Sequence, residues 1–170
     1  MGGELLSLDQ LQAQVRGSEI DTVLLAMTDM QGRLQGKRLT ARHFLDEVSQ
    51  HGAEGCNYLL AVDVDMTPVS GYEMASWERG YGDFAMRPDL DTLRPVPWQE
   101  GTAMCLADLE WADGREVLAS PRQVLKSQLA RLAGRGWSAN TSTELEFLVF
   151  RDSYEEAYRK GYRDLEPANL

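Results

Sequence analysis

The run from Thr143 to Phe150, TELEFLVF, limits the folds open to this chain more than any other segment. Side chains alternate across a strand, so Glu144 and Glu146 share a face with Leu148 and Phe150, while Leu145, Phe147 and Val149 line the other. A strand that is apolar on both faces belongs inside a covered sheet and needs neighbours on both sides. No later segment reads as such a neighbour, so the unit that this strand opens is expected to be incomplete. Its two carboxylates stand roughly 6.5 to 7 Å apart and repel each other. Bound cations resolve that conflict; an exposed strand end resolves it with water alone. The segment by itself leaves both readings open.

The rest of the composition narrows the function classes. Seventeen Lys and Arg against 27 Asp and Glu give a net charge of -10, which repels phosphate backbones and anionic lipid surfaces and argues against nucleic acid or membrane as a partner. No apolar run approaches the roughly 20 residues that span a bilayer, and MGGELLSLDQ has neither a basic start nor a signal-peptide core, so a cytoplasmic location is expected. Cys56 and Cys105 stand far apart, match no zinc spacing and read as inert thiols. His43 and His51 lie in or beside a predicted helix and read as surface or packing residues.

Ser7 with Gln10 forms a capping box, and Leu8, Leu11 and Val15 repeat at helical spacing, predicting a short helix to about Gly17 that serves as a lid or cap. Asp21 to Asp29 reads as an apolar strand, with Arg33 to Thr40 as its hairpin partner. A helix capped by Thr40 follows, with Phe44 and Val48 inward and a stop at His51-Gly52. After a short strand near Tyr58 to Val62, the prolines and glycines up to Trp98 predict a long loop, read as a binding or interface element. Thr102 to Trp111 is a further strand closed by Asp113-Gly114, and Ser120-Pro121 starts a helix to about Gly134. A last helical segment begins near Asp152, with Tyr154 and Tyr158 one turn apart, a stripe suited to packing or a subunit contact.

Taken in order, these strings resemble the glutamine synthetase family. TDMQGRLQGKR (28–38) looks like its opening hairpin, and DFAMRPDLDTLRPVPW (83–98) like the segment that closes its small domain. GTAMCLADL, SPRQVLKSQLARL and the Glu-x-Glu-Phe strand follow in the family's sequence. The resemblance implies an α+β chain: a β-grasp-like domain over residues 1–112, then the first helix and strand of a catalytic domain over 113–170. It implies ATP-dependent ligation, in which the γ-carboxylate of glutamate is phosphorylated and ammonia or a larger amine displaces phosphate, with Mg2+ or Mn2+ neutralising phosphoryl charge. Glu146 would hold the ion nearer glutamate and Glu144 the ion nearer the nucleotide. Active sites at subunit junctions of stacked rings imply a homo-oligomer.

In the family, the region around Val62 to Gly82 carries an aspartate that attracts ammonium, a place that Asp63 or Asp65 can take. The usual Asp-Gly-Ser-Ser run is replaced here by AVDVDMTPVSGYEMASWERGYGD, which looks closer to ligases of larger amines such as polyamines or ethanolamine. Tyr72 and Trp77 either pack on such an amine or anchor the loop. Lys37, Arg38 and Arg87 read as solvated strand ends or subunit salt bridges rather than anion binders. With two metal carboxylates only, these 170 residues are expected to be inactive alone. The competing classes are a non-catalytic β-grasp interaction module or pseudoenzyme remnant and, more weakly, a glycosidase carboxylate pair.

Overall fold

Alternating apolar residues build a mixed sheet in the first part of the chain. The computed structural model describes residues 4–72 and 82–169. Among these, the strands β1 (Thr22–Thr28), β2 (Leu34–Thr40), β3 (Ala53–Cys56), β4 (Asp83–Pro95) and β5 (Thr102–Glu110) form one sheet in the order β2-β1-β5-β4-β3. β1 is antiparallel to β2 and parallel to β5, and β4 is antiparallel to both β5 and β3. Val23, Leu25 and Met27 of β1 point into the core beside Ala103, Cys105, Ala107 and Leu109 of β5, as the two-residue period of a strand requires. The fold is therefore of mixed α+β class.

The helix α1 (Leu8–Arg16) starts at the expected capping box: Ser7 Oγ accepts the Gln10 N–H at 3.2 Å, and Gln10 Oε1 accepts the Ser7 N–H at 2.7 Å. Leu11 is fully buried in the sheet's core, so of the lid or cap roles its sequence suggested α1 takes that of a cap packed on the core. The second helical segment, also as expected, begins at Thr40. It runs through α2 (Ala41–His43), a π turn (Phe44–Val48) and α3 (Ser49–His51), buries Phe44 and Val48, and ends at Gly52 with φ +76°. Gly52 is a place where a side chain cannot go, since a Cβ would stand 2.8 Å from the Met86 carbonyl oxygen.

Two expected elements differ from the structure. The strand foreseen near Tyr58 to Val62 lies earlier, at β3, and Asn57–Leu60 is a 3-10 turn. Ala and Gly are poor strand formers, but Gly55 faces Phe84, whose ring leaves no room for a larger residue. The long loop foreseen up to Trp98 instead contains β4, a 13-residue strand. Its prolines are tolerated because β3 pairs only as far as Met86, leaving Pro88 and Pro95 where β4 has a single neighbour. Between Asp89 and Arg94 the register with β5 shifts, so the inward positions change from Phe84 and Met86 to Leu93. That change of parity hides the strand's alternation from a sequence pattern.

The helix α4 (Pro121–Ala133) has the expected Ser120-Pro121 start and no buried residue. It is held to the sheet by charge. Arg122 bonds Asp89 and, at 2.8 Å, Asp108, and Lys126 reaches Asp108 at 2.6 Å. By contact density the chain divides into two units, Met1–Trp137 and Ser138–Leu170. In the second, α5 (Tyr154–Arg159) has its own capping box from Ser153 and Glu156. The run 143–149 is not a strand: among the described residues its pairing is confined to its end, where the Ala168 N–H donates to the Val149 carbonyl at 2.8 Å and Phe150 bridges to Pro167. An isolated extended segment has no ladder to close its backbone groups or cover its faces, and Leu145, Phe147 and Leu148 are each about 80 % exposed. The expectation that both faces are buried is thus overturned within these residues.

Candidate functional site

The β1–β2 turn builds a polar cluster around one carboxylate. Asp29 follows the last residue of β1 and is fully buried. Its Oδ1 accepts the N–H groups of Gln31 at 3.0 Å and Arg33 at 2.8 Å, and its Oδ2 accepts Arg33 Nε at 2.7 Å and Gln35 Nε2 at 3.1 Å. Burial pushes this carboxyl up. The bonds from the side chains of Gln35 and Arg33 and the N–H groups of Arg33 and Gln31 outweigh it and hold the group below its ordinary 3.8. Nothing in the pattern of apolar residues marks Asp29 as buried; the available signal is an Asp opening a turn, with Gly32 in the left-handed region and Arg four residues on.

From this cluster, side chains cross to a second turn. Residues 61–69 form a small hairpin, with Val62 bridged to Pro68 and the Val69 N–H on the Ala61 carbonyl at 2.9 Å. Asp63 Oδ1 accepts the N–H groups of Asp65 and Thr67, each at 2.9 Å. The Asp63 carboxylate therefore closes the turn, whereas Asp65 is exposed and no described residue bonds its carboxylate. These two sequence candidates lie together at one hairpin tip. Tyr72 is partly exposed on the segment that follows, and Trp77 lies outside the described residues.

Glu144 and Glu146 are both exposed, in a segment of the second unit without regular secondary structure. Carboxylates are suitable donors for Mg2+ or Mn2+, but a hard cation needs about six oxygens. Among the described residues no group of three or more His, Cys, Asp or Glu is gathered to hold a metal ion. The donor type fits a divalent cation; the donor number is incomplete.

Other candidates resolve into ordinary roles. Lys37 and Arg38 are exposed on β2, while Arg87 pairs with Glu110 at 2.8 Å and also bonds the His51 carbonyl. His43 and His51 are exposed. Cys105 is fully buried, and burial pushes its thiol up to about 11. Tyr154 and Tyr158 are exposed on α5. A groove of about 500 Å³ beside that helix is lined by residues including Leu148, Phe150, Tyr154 and Leu165.

Over 96 % of its length the chain is 65 % identical to a γ-glutamylethanolamide synthetase of Streptomyces coelicolor, of which it matches 36 %. The chain is a homologue of the glutamine synthetase-family ligases. It is also 34 % identical to a glutamate–isopropylamine ligase of a Pseudomonas species, over 87 % of the chain and 32 % of that protein. Among solved structures, the ADP complex of GmaS superposes with a TM-score of 0.54 at 30 % identity, covering 74 % of the chain and 26 % of that structure. No family model matches. The chain thus spans about a third of the length of the curated ligases it matches. No helix among its described residues is long and apolar enough to cross a membrane.

Proposed function

We propose that this chain is the amine-selecting and metal-contributing part of an ATP-dependent glutamate–amine ligase that forms a γ-glutamyl amide, with an ethanolamine-type amine as acceptor. The observation that carries this is the 65 % identity with the ethanolamide-forming relative, which extends over nearly the whole chain. In this reading residues 1–112 are a β-grasp-like domain, supported by the parallel pair β1–β5 beside the β1–β2 hairpin and by the helical segment that follows it. Residues 113–170 begin the catalytic domain, and the active enzyme is a cytoplasmic homo-oligomer in which further residues complete the site.

Glu144 and Glu146 would then hold Mg2+ or Mn2+, which neutralises charge on the phosphoryl group during transfer from ATP to the γ-carboxylate of glutamate. Asp65, exposed beside the turn that Asp63 closes, is the better placed of the two aspartates to attract a protonated amine. Its negative charge favours the ammonium form on approach. An amine must lose a proton before its lone pair attacks the acyl phosphate, and a carboxylate beside it is a suitable acceptor.

The full-length gene product that contains this chain tests the reading when incubated with Mg2+, ATP, glutamate and a panel of amines. ADP release that requires both glutamate and ethanolamine, with γ-glutamylethanolamide identified by mass, is expected. Release of ADP without any amide from a folded, assembled protein refutes it.

A further inference from the structure

We propose that Arg33 is a positioning residue for the acidic hairpin tip, locking the Asp63–Thr67 turn from the neighbouring β1–β2 turn and thereby setting the affinity for the amine. The inference rests on the ligase reading above. Its basis is a set of bonds to three successive carbonyls. Arg33 Nη1 donates to the Val64 carbonyl at 2.6 Å, Arg33 Nη2 to the Asp63 carbonyl at 3.0 Å, and Gln31 Nε2 to the Val62 carbonyl at 2.8 Å. Arg33 Nη2 also donates to Gln31 Oε1 at 3.2 Å, so the two tethers brace each other.

The guanidinium is itself held in place. Its Nε donates to the fully buried Asp29 at 2.7 Å, which fixes the plane of the fork and aims both terminal nitrogens at the second turn. A lysine has a point charge on a flexible stem and cannot bond Asp29 and two separate carbonyls in one plane. On the other side of the turn, Asp63 Oδ1 collects the Asp65 and Thr67 N–H groups. Met66 sits at φ +64°, a region that side-chain-bearing residues seldom adopt, and its sulfur meets Gln35 Nε2 at 3.2 Å. A turn with a residue in that region persists only where its surroundings over-determine it. Among the described residues the Arg33 fork supplies two of the bonds that cross from the β1–β2 turn to this one.

The test uses the full-length protein with Arg33→Ala, Arg33→Lys and Gln31→Ala, reading steady-state constants for each substrate and hydrogen exchange at the Asp65 and Thr67 amides. In Arg33→Ala we expect exchange at those two amides to quicken by about tenfold or more. The amine KM should rise by about tenfold, with the glutamate and ATP constants within about twofold. Arg33→Lys should lie between that variant and the unsubstituted protein. Unchanged protection at Asp65 and Thr67 overturns the tether. Faster exchange with all three KM values unmoved, or moved together, overturns the positioning role. If Arg33→Ala does not fold, Gln31→Ala, which leaves the Asp29–Arg33 pair intact, must shift the same two readouts in the same direction or the proposal fails. An unsubstituted protein that makes no amide removes the ligase reading and the kinetic half of the proposal together, and the exchange data then decide the tether alone.

Discussion

Replacing Asp29 separates two contributions that the structure assigns to different oxygens. In Asp29→Ala both go: the Gln31 and Arg33 N–H groups lose their acceptor, and the Arg33 guanidinium and Gln35 amide lose theirs. Removing one partner of a buried charged pair costs about 3–5 kcal/mol, and orphaned part-buried N–H groups cost about 1–3 kcal/mol each within that total. In Asp29→Asn the amide oxygen still serves the two backbone N–H groups, while its NH2 faces Arg33 Nε and Gln35 Nε2, donor against donor. About 2 kcal/mol is expected. With a urea slope of about 2 kcal/mol/M, the unfolding midpoint of the 170-residue chain followed by circular dichroism should fall by roughly 2 M for Ala and 1 M for Asn. Because the native Asp29 pKa is lowered, its stabilisation is complete well above the ordinary 3.8 and is lost as pH falls through the lower native value. The gap between wild type and Asp29→Asn should accordingly narrow as pH falls from the ordinary 3.8 through the lower native value, and stay constant below it. Equal midpoints for Ala and Asn, or a gap that widens as pH falls, would refute the division of labour between the two oxygens.

Gly36→Ala should destabilise by about 2–3 kcal/mol or more, because its Cβ would lie 1.9 Å from the Leu25 carbonyl oxygen in the paired strand. Gly82→Ala, whose Cβ among the described residues would meet the Asn57 amide at 3.7 Å, should stay within about 0.5 kcal/mol in the same denaturation assay. With a thiol-specific reagent, half-buried Cys56 should react in the native chain and fully buried Cys105 only after unfolding; Cys56→Ser should abolish the early phase. Titration calorimetry of the isolated 170 residues with Mg2+ should give a dissociation constant of about 1 mM or weaker, since two exposed carboxylates are too few donors. A micromolar value would mean that the site is already complete.

Elements whose signals are local were legible in the sequence. The capping box at Ser7, the Thr40 cap, the Ser120-Pro121 start and the helix beginning near Asp152 each depend on a few adjacent residues, and each stands where the pattern put it. β4 was not legible, because Pro88 and Pro95 announce a loop unless one knows that β3 stops pairing at Met86, and the shift after Asp89 reverses which residues point inward. Both facts belong to tertiary pairing, which overrides local propensity. The Asp29 cluster escaped notice for a related reason. A charged residue at the end of a strand is ordinarily solvated, and only the fold brings Arg33 and Gln31 against the carbonyls of residues 62–64, some 30 positions away.

The glutamate run teaches the opposite lesson. Its alternation is noted from the residues, yet in this chain the segment 143–148 lies in no strand among the described residues and its side chains are exposed. Alternation specifies what a strand requires, namely partners along both edges and cover over both faces, and says nothing of whether those partners lie in the same 170 residues. The curated ligases that match here are about three times as long. In the ligase reading, the apolar face of Leu145, Phe147 and Val149 and the ligand set of Glu144 and Glu146 are incomplete together. Sheet partners that pair with this segment would fix the spacing of its carboxylates, and only then can two exposed glutamates act as a preorganised pair. Metal affinity at this site is therefore expected to track burial of Phe147 and its neighbours: a longer form that protects the 144–149 amides from exchange should bind Mg2+ more tightly than the 170-residue chain. Protection without a gain in affinity would separate the strand from the metal and leave the two glutamates a structural role.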